Sequence, residues 1–365
     1  MIKIIHIITG GLHREGITST QMEFFKKMDL KKFKIYVAAV HDNDPEMIRE
    51  LEKIGCIVLQ FPDRRENLLK YFIALVNSLR KIKPDIVHVH GSSALMSIEL
   101  LAAKIANVKN RIAHSRNTKA DHATIDTLLR PIFNLLYTYA MACGIDAGKW
   151  LFKNKEFTVI HNGKDFKKFY YNKEIRDRFR IENELSGKIV VGHVGRMNYQ
   201  KNHEYLIKVF HEFQKEHDNA LLYLIGDGAL RENISAQISS LGIQDKVVFA
   251  GNVNDVHLRI QAMDIMVFPS RFEGLPNVVL EWQAEGLPCL ISDKITRECA
   301  SSDFVEFASI EDNPEVWADK MQQMLTKFNV REEQATKGIQ ALQENGFDIV
   351  DATRKLEQIY LNLAK

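Results

Sequence analysis

Short apolar runs alternate with segments of helical spacing along the first part of the chain. The runs are rich in β-branched residues, which predicts buried parallel strands, and the segments between them include 68–82 and 94–106, where apolar residues recur every three or four positions. Such a series predicts a doubly wound parallel sheet with helices on both faces. The predicted strands are residues 2–8, 35–40, 57–61, 86–89, 111–114 and 158–160.

The same alternation restarts after a charged and aromatic segment without strand periodicity. We expect residues 1–165 to form one α/β domain, 166–187 a connection between domains, and 188–348 a second α/β domain. Two such domains facing each other would place a ligand in the cleft at the carboxyl ends of their strands. The predicted strands of the second domain are residues 189–194, 220–225, 247–250, 265–268 and 289–292.

Composition agrees with a soluble protein of two domains. The chain has 365 residues, more than one hydrophobic core usually supports. No apolar run reaches the ~18 residues of a membrane-spanning helix, and the strand-like start does not resemble a signal peptide, so we expect a cytoplasmic protein. The four cysteines lack Cys-x-x-Cys spacing, which predicts neither a disulfide framework nor a zinc site.

Charge is distributed unevenly along the chain. Residues 1–170 hold 27 Lys and Arg against 17 Asp and Glu, a net +10, whereas the remainder holds 22 against 30, a net −8. The basic clusters of the first half suit either an anionic membrane surface and a lipid diphosphate, or simple exposure to solvent. Nucleic acid is not expected as a partner, because the clusters lack interleaved aromatic residues.

Two glutamates stand eight residues apart where a predicted strand leads into a helix. Glu273 lies in the loop after the strand, and Glu281 lies within the helix. One carboxylate can accept hydrogen bonds from a hexose and the other from a ribose, while the amides of Gly274 and Leu275 near the helix N-terminus suit a phosphate. The alternative is a solvated helix face, since a Glu pair at this spacing alone proves little.

Two permanent cations follow the first strand of the second domain. The strand ends at Gly195, and the next loop carries Arg196 and Lys201, with Asn202 as the expected helix cap. Arginine can bind a diphosphate through two hydrogen bonds and lysine as a mobile charge, although two exposed loop cations are the simpler alternative.

The run Glu-Gly-Leu-Pro-Asn-x-x-Leu-Glu at 273–281, followed by Ala-x-Gly-Leu-Pro, resembles the signature of the retaining glycosyltransferase family 4. The resemblance extends over nearly the whole chain. It implies the α/β fold called GT-B, in which two Rossmann-like, doubly wound parallel-sheet domains face each other across a cleft. In that fold the last helix, about 349–365 here, packs back on the first domain, which is the acceptor side.

The resemblance also implies an activity. A hexosyl or N-acetylhexosaminyl unit would move, with retention, from a nucleoside diphosphate sugar to a saccharide acceptor, with uridine favoured over guanosine as the base. Together with the basic first half, it suggests a lipid-linked acceptor in surface or capsular polysaccharide synthesis, handled by an enzyme peripheral to the inner face of the cell membrane. We therefore expect a hexosyltransferase that needs no metal.

Site residues follow from the same resemblance. Glu273 would orient the hexose, Arg196 and Lys201 would stabilise the leaving diphosphate, and His114 would lie near the anomeric carbon. The chain departs from the family at Glu15, in the loop after the first strand, and at Ser115, where the family often has aspartate. The donor-binding residues implied are Gly10, Gly11, Gly195, Gly226, Asn252, Val253, Gly274, Leu275, Pro276, Asn277 and Glu281.

Two features suggest metal binding, and we prefer a different interpretation of each. Asp42-Asn-Asp44 matches the Asp-x-Asp of metal-dependent transferases but precedes Pro45 at a predicted helix start, where capping residues are common. His88 and His90 share one strand face, yet no third ligand is evident, so a structural or cleft-lining role is favoured. Because two cations can already neutralise the diphosphate, no metal and no other cofactor are expected.

Three other functions remain open from the sequence. A sugar phosphorylase on the same fold would use the same cations on inorganic phosphate. A non-catalytic sugar-nucleotide or glycan-binding protein would keep affinity without turnover. A nicotinamide oxidoreductase is disfavoured, because the loop Thr9-Gly-Gly-Leu-His-Arg-Glu-Gly16 does not match Gly-x-Gly-x-x-Gly.

Overall fold

The computed structural model describes residues 1–14, 16–118 and 123–365. Its internal contacts divide the chain into two compact units: unit 1 comprises Met1–Asp165 with Gly346–Lys365, and unit 2 comprises Phe166–Asn345. Glu15, one of the two departures from the family pattern, lies outside the described residues.

The described strands and helices alternate in both units. The strands are β1 (Ile2–Ile8), β2 (Phe33–Ala39), β3 (Ile57–Gln60), β4 (Ile86–Gly91), β5 (Asn110–Ser115), β6 (Tyr139–Ala142), β7 (Thr158–Val159), β8 (Ile189–Val194), β9 (Ala220–Ile225), β10 (Val247–Gly251), β11 (Ile265–Phe268), β12 (Cys289–Ser292) and β13 (Val305–Ala308). The helices are α1 (Gly16–Lys27), α2 (Pro45–Ile54), α3 (Leu68–Ile82), α4 (Ser97–Ile105), α5 (Ala123–Leu136), α6 (Ile145–Phe152), α7 (Lys173–Glu182), α8 (His203–Glu216), α9 (Arg231–Ser240), α10 (Val256–Arg259), α11 (Asn277–Ala284), α12 (Pro314–Lys327), α13 (Arg331–Glu344) and α14 (Ile349–Leu363).

Unit 1 is built on a parallel sheet in the order β3-β2-β1-β4-β5-β6-β7, counted over the described residues. The chain winds outward from β1 to β3 and then returns to place β4 on the other side of β1. The crevice between β1 and β4 is therefore the topological switch point, where open α/β sheets bind ligands at the carboxyl ends of their strands.

Helices cover both faces of this sheet with apolar side chains. On one face, Phe24 and Phe25 of α1 and Leu356 and Tyr360 of α14 are buried in one cluster. The other face carries a second cluster that includes Leu75 and Leu100. Helix α14 thus belongs to the core of unit 1, although 180 residues of unit 2 separate it in sequence from the rest of that unit.

The Asp-x-Asp segment at 42–44 leads into helix α2. Asp44 precedes the helix and its carboxylate accepts a hydrogen bond of 2.8 Å from the N–H of Glu46, while Pro45 occupies the first helical turn. Asn43 accepts from the N–H of Leu12 at 3.0 Å. A cap of this kind stabilises a helix by about 1 kcal/mol. The segment is a helix start, as the preferred interpretation held.

Unit 2 repeats the winding with a parallel sheet in the order β10-β9-β8-β11-β12-β13 over the described residues. Its switch point lies between β8 and β11, which pair at Ile265 and Val191. Apolar side chains from α8 and α12, such as Phe210 and Trp317, pack on the sheet. Within the described part of the chain, no helix is long and apolar enough to cross a membrane.

Residues 166–187 differ from the expected connection, because they fold as part of unit 2. They contain a short 3-10 turn, Phe166–Phe169, and helix α7. The guanidinium groups of Arg176 and Arg180 both pair with the carboxylate of Asp264, and Arg176 also donates to the carbonyl of Met263. Ion pairs rather than an apolar stripe therefore hold α7 to its unit. Residues 346–348, expected at the end of the second domain, belong to unit 1.

Candidate functional site

The loops that carry the predicted cations and the predicted carboxylate are tied together in unit 2. The loop after β8 contains Gln200, whose carbonyl accepts from the N–H of Arg271 at 2.8 Å and whose side-chain amide donates to the carbonyl of Phe272 at 3.0 Å. Because β8 and β11 flank the switch point, these two loops stand where the fold places a ligand.

Lys201 and Glu273 meet directly in that position. The Nζ of Lys201 lies 2.7 Å from Oε1 of Glu273 and 4.5 Å from the centre of the Phe268 ring, and the two side chains are 17% and 10% exposed. Arg196, in the same loop, is exposed. The structure thus brings a cation and a carboxylate together where little solvent reaches them. There the cation can bind an anionic group of a ligand, and the carboxylate can accept hydrogen bonds from one.

Asn202 does not act as the expected cap of α8. The helix begins at His203, as predicted, but the Asn202 side chain makes no capping hydrogen bond. Its amide instead donates to the carbonyl of Pro269 at 3.1 Å, and its backbone has a left-handed φ of 56°. Asparagine is among the few residues that adopt this conformation readily. The side chain therefore joins the two loops of the site.

Glycines bring three backbone segments together at the same sheet edge. The N–H of Gly195 donates to the carbonyl of Ile225 at 2.9 Å, and the N–H of Gly226 donates to Gly251 at 2.9 Å. A Cβ at Gly226 would lie 2.2 Å from the carbonyl oxygen of Gly195, and φ at this residue is +126°. Only glycine fits here. The next predicted donor-binding residues, Asn252 and Val253, directly follow β10 at this edge.

The remaining predicted residues of unit 2 lie at the start of α11. Gly274, Leu275 and Pro276 are buried, and Pro276 precedes the helix without offering a side-chain acceptor to its first turn. Asn277 opens the helix, and Glu281 is half-buried one turn later. The positive end of the helix dipole faces the loop of Glu273, which favours an anion there.

In unit 1 the predicted Gly10 and Gly11 follow β1. Gly11 has a φ of +85°, and a Cβ there would lie 2.5 Å from the carbonyl oxygen of His41, so its conformation and packing both require glycine. Gly10 is exposed, and a Cβ there would meet nothing within 4 Å. Packing therefore does not account for glycine at position 10, whereas close approach of a ligand would.

His114 belongs to a group of four buried histidines on one face of the unit 1 sheet. His6 pairs in register with His88, and His90 with His114, across β1, β4 and β5. The ring nitrogens of His6 and His90 are 2.9 Å apart, and so are those of His88 and His114. The hydroxyl of Tyr360 on α14 lies 2.6 Å from Nδ1 of His88.

Sequence reasoning placed His88 and His90 on one face and named His114 separately as a site residue, but it did not predict that these histidines and His6 form one group. His6 stands on a different strand, so only the register of β1 against β4 reveals that it joins them. Nitrogens of His6, His88 and His90 lie within 4.8 Å of one another, a grouping of three that spacing along the chain did not show. Burial lowers the pKa of His6 to about 3 and the pKa of His114 well below its usual value.

This chain is similar to known proteins over most of its length. The model of the family "Glycosyl transferases group 1" matches residues 174–341. EpsF of Bacillus subtilis (strain 168), which its name assigns to the glycosyltransferases, is 31% identical over 333 residues, covering 87% of this chain and 86% of that protein. The chain belongs to the group 1 glycosyltransferases. This identity over most of the chain decides the family, and the family model spans both loops of the unit 2 site.

A second relative and a solved structure extend this result. The UDP-Gal:alpha-D-GlcNAc-diphosphoundecaprenol alpha-1,3-galactosyltransferase of Escherichia coli is 26% identical over 322 residues, covering 81% of this glycosyltransferase and 80% of that protein. The crystal structure of Anabaena Alr3699/HepE in complex with UDP superposes with a TM-score of 0.83 at 16% identity, over 99% of this chain and 100% of that one. At that identity the likeness establishes the GT-B fold and no more.

Proposed function

We propose that this glycosyltransferase moves a hexosyl or N-acetylhexosaminyl unit from a UDP-sugar to a lipid-linked saccharide, with retention at the anomeric carbon, in the synthesis of a surface polysaccharide. The observation that carries the proposal is the pairing of Lys201 with Glu273 at 2.7 Å beside the switch point of unit 2. The galactosyltransferase relative, whose name gives a UDP-sugar donor and a diphosphoundecaprenol acceptor, supports the choice of both substrates.

The pair suits a sugar nucleotide because Lys201 binds an anionic group and Glu273 binds hydrogen-bond donors. A diphosphate takes the ammonium of Lys201, and sugar hydroxyls then donate to the released carboxylate of Glu273. The exposed guanidinium of Arg196, in the same loop, adds a second charge for the diphosphate. While the ligand is bound, the diphosphate balances the charge of Lys201, and the sugar hydroxyls keep the carboxylate of Glu273 hydrogen-bonded.

The same groups would act during the reaction. Negative charge grows on the leaving diphosphate as the glycosidic bond breaks, and cations already in place stabilise that charge without reorganisation. Glu273 orients the hexose, and a phosphate oxygen takes the proton of the acceptor hydroxyl on the face that the diphosphate leaves. Attack on that face retains the anomeric configuration.

The test is calorimetric titration with UDP, UDP-glucose, UDP-galactose, UDP-N-acetylglucosamine and GDP-mannose in the presence of EDTA. We expect one UDP-sugar to bind wild type and Lys201→Met to weaken it at least tenfold. Lys208→Met is the matched control, because Lys208 forms an exposed ion pair with Glu204 on α8. Equal loss in both variants, or binding only to GDP-mannose, would contradict the proposal.

Product analysis tests the remaining claims. The anomeric configuration of the first product, read by NMR before mutarotation, is expected to match that of the donor. A lipid-linked oligosaccharide is expected to accept the sugar, whereas water alone is not. Phosphate-dependent release of a sugar 1-phosphate would instead identify a phosphorylase.

A further inference from the structure

Arg116 is a buried cation at the carboxyl end of β5 in unit 1. It follows the last residue of that strand and is only 8% exposed. Its guanidinium donates to Nδ1 of His90 at 3.0 Å and Nδ1 of His114 at 3.2 Å, and to the side-chain oxygen of Asn162 at 3.0 Å. All three acceptors are neutral groups.

No carboxylate forms an ion pair with Arg116 within the described residues. In this it differs from buried Arg180, which pairs with Asp264 at 3.1 Å, and from two half-buried arginines. Arg64 pairs with Glu99 at 2.9 Å, and Arg331 pairs with Glu285 at 3.6 Å. Burial of a charge is costly, and proteins normally offset it with an opposite charge. Among the residues that the structure describes, the acceptors around Arg116 satisfy its hydrogen bonds without cancelling its charge.

The hydrogen bonds around Arg116 also fix where the histidine protons lie. Because arginine can only donate, Nδ1 of His90 and Nδ1 of His114 are both acceptors, and each of these rings carries its proton on Nε2. His90 then donates to His6, and His88 donates to His114 while accepting from Tyr360. A second proton on His90 or His114 would point at the guanidinium. The cluster is therefore neutral, and it cannot act as the counterion of Arg116.

The same reasoning places a proton on the buried Nε2 atoms of His6 and His114. His114 also hydrogen-bonds to the backbone of Ala142, whereas Nε2 of His6 has no hydrogen-bond partner among the residues that the structure describes. It also opposes a metal at His6, His88 and His90, since their lone pairs already serve the network and a further cation would stand beside Arg116.

Arg116 lies at the sheet edge that carries the loop of Gly10. The N–H of Arg116 donates to the carbonyl of Gly91 at 2.9 Å, at the end of β4. One residue earlier, the carbonyl of His90 accepts from both the N–H and the hydroxyl of Thr9, each at 3.0 Å, and Thr9 directly precedes Gly10. The charge of Arg116 thus lies one strand away from the switch point of unit 1, at the sheet edge that also carries Gly10.

We infer that Arg116 is the counter-charge for a phosphate or diphosphate group of a substrate, held ready by a shell of neutral acceptors. The inference rests on the proposed function, which requires two phosphate-bearing substrates: a nucleotide sugar and a lipid-linked saccharide. Either can supply the anion. In a site of low dielectric constant a single positive charge attracts such a group strongly over several ångströms.

Asn162→Asp tests this inference with a nearly isosteric change. The new carboxylate would keep the oxygen that accepts from the guanidinium at 3.0 Å and add a negative charge that cancels the charge of Arg116. We expect the melting temperature to stay the same or to rise, and the affinity for the phosphate-bearing ligand to fall about tenfold. A purely structural role for Arg116 predicts the rise in stability without the loss of affinity, so the two readouts separate the explanations.

The probes are UDP, farnesyl diphosphate and the uncharged alcohol farnesol, titrated into the full-length protein. Asn67→Asp is the matched control, because Asn67 caps α3 through its side-chain oxygen, which aspartate reproduces, and it adds the same charge to unit 1. A tenfold loss for UDP alone assigns the donor phosphate to Arg116, and a loss for farnesyl diphosphate alone assigns the acceptor phosphate. Both results support the inference.

Two results would overturn it. If wild type binds UDP, and Asn162→Asp binds UDP and farnesyl diphosphate with the same affinities as wild type, the inference fails while the proposed function stands. If wild type binds neither anion, both fail together. Arg116→Gln, which removes the charge directly, gives the same comparison should Asn162→Asp not fold; there too, unchanged affinity for both anions refutes the role.

Discussion

Replacing Glu273 with glutamine leaves the ammonium of Lys201 without a counterion in a site where it is only 17% exposed. Removing one partner of a fully buried ion pair costs 3–5 kcal/mol, and an exposed pair is worth at most about 1 kcal/mol. The Lys201–Glu273 pair lies between these limits. We expect Glu273→Gln and Lys201→Met each to lower the free energy of unfolding of unit 2 by about 2 kcal/mol.

The double variant is the sharper measurement. It removes both charges at once, so no uncompensated charge remains and the loss is again about 2 kcal/mol rather than about 4. The resulting coupling energy of about 2 kcal/mol is far above the scatter of independent sites, which is ~0.5 kcal/mol. At 2–4 °C per kcal/mol, each single variant melts about 4–8 °C below wild type.

Urea unfolding followed by tryptophan fluorescence reports on the right unit. Trp282 is buried beneath the site and packs edge-on against Phe268, 5.3 Å away, and Trp317 is also buried in unit 2. Trp150 lies in unit 1, so the experiment is done in a Trp150→Phe background. Additive effects of the two substitutions, within ~0.5 kcal/mol, would refute the idea that Lys201 and Glu273 compensate each other.

Three further predictions concern glycines and histidines. Gly226→Ala forces a Cβ to 2.2 Å from a backbone oxygen, so we expect the free energy of unfolding in urea to fall by at least about 3 kcal/mol. Gly242→Ala is the control: φ is +68° there, but a Cβ would meet nothing within 4 Å, so the fall should be only about 1 kcal/mol. Equal losses would contradict the steric account. Gly10→Ala should keep the wild-type melting temperature yet weaken UDP-sugar binding in calorimetry, whereas Gly11→Ala should melt earlier; unchanged binding in Gly10→Ala would remove that loop from the donor site. The folded-state pKa of His6, about 3, lies below the unfolded value of 6.5, so the unfolded chain takes up more protons as the pH falls. Each such buried histidine then lowers stability by up to about 1.4 kcal/mol per pH unit below 6.5; urea midpoints that stay flat between pH 7.5 and 5.5 would show that these rings titrate freely.

The sequence predicted the central strands of both sheets because these are buried on both faces and are therefore mostly apolar. Strands toward the sheet edges carried a weaker signal. Tyr139–Ala142 has no β-branched residue, and Val305–Ala308 has two half-buried residues, Glu306 and Phe307, between its buried ends, so neither was predicted. Helix α7 was missed for a different reason: its anchors are arginines that reach Asp264, and hydrophobic periodicity does not register such contacts.

The site, too, was predicted only in its local parts. Local motifs located Lys201 and Glu273, because each loop follows a recognisable strand. That their side chains touch depends on the pairing of β8 with β11, and spacing along the chain does not specify it. The neutral acceptors around Arg116 could not be predicted from the sequence either, since they come from β4, β5 and the segment after β7.

The discontinuity of unit 1 has a consequence for synthesis on the ribosome. Residues 1–165 emerge first, but the face of their sheet that receives Leu356 and Tyr360 stays uncovered until the whole of unit 2 has been translated. At 5–20 residues per second, those 180 residues take roughly 9–36 s. During that interval an apolar surface and the histidine cluster are exposed to solvent or bound by a chaperone. Unit 2 has time to fold before α14 is available to complete the core of unit 1. Substitutions in α14 should therefore lower the yield of folded protein at high expression rates more than they lower the stability of the finished molecule.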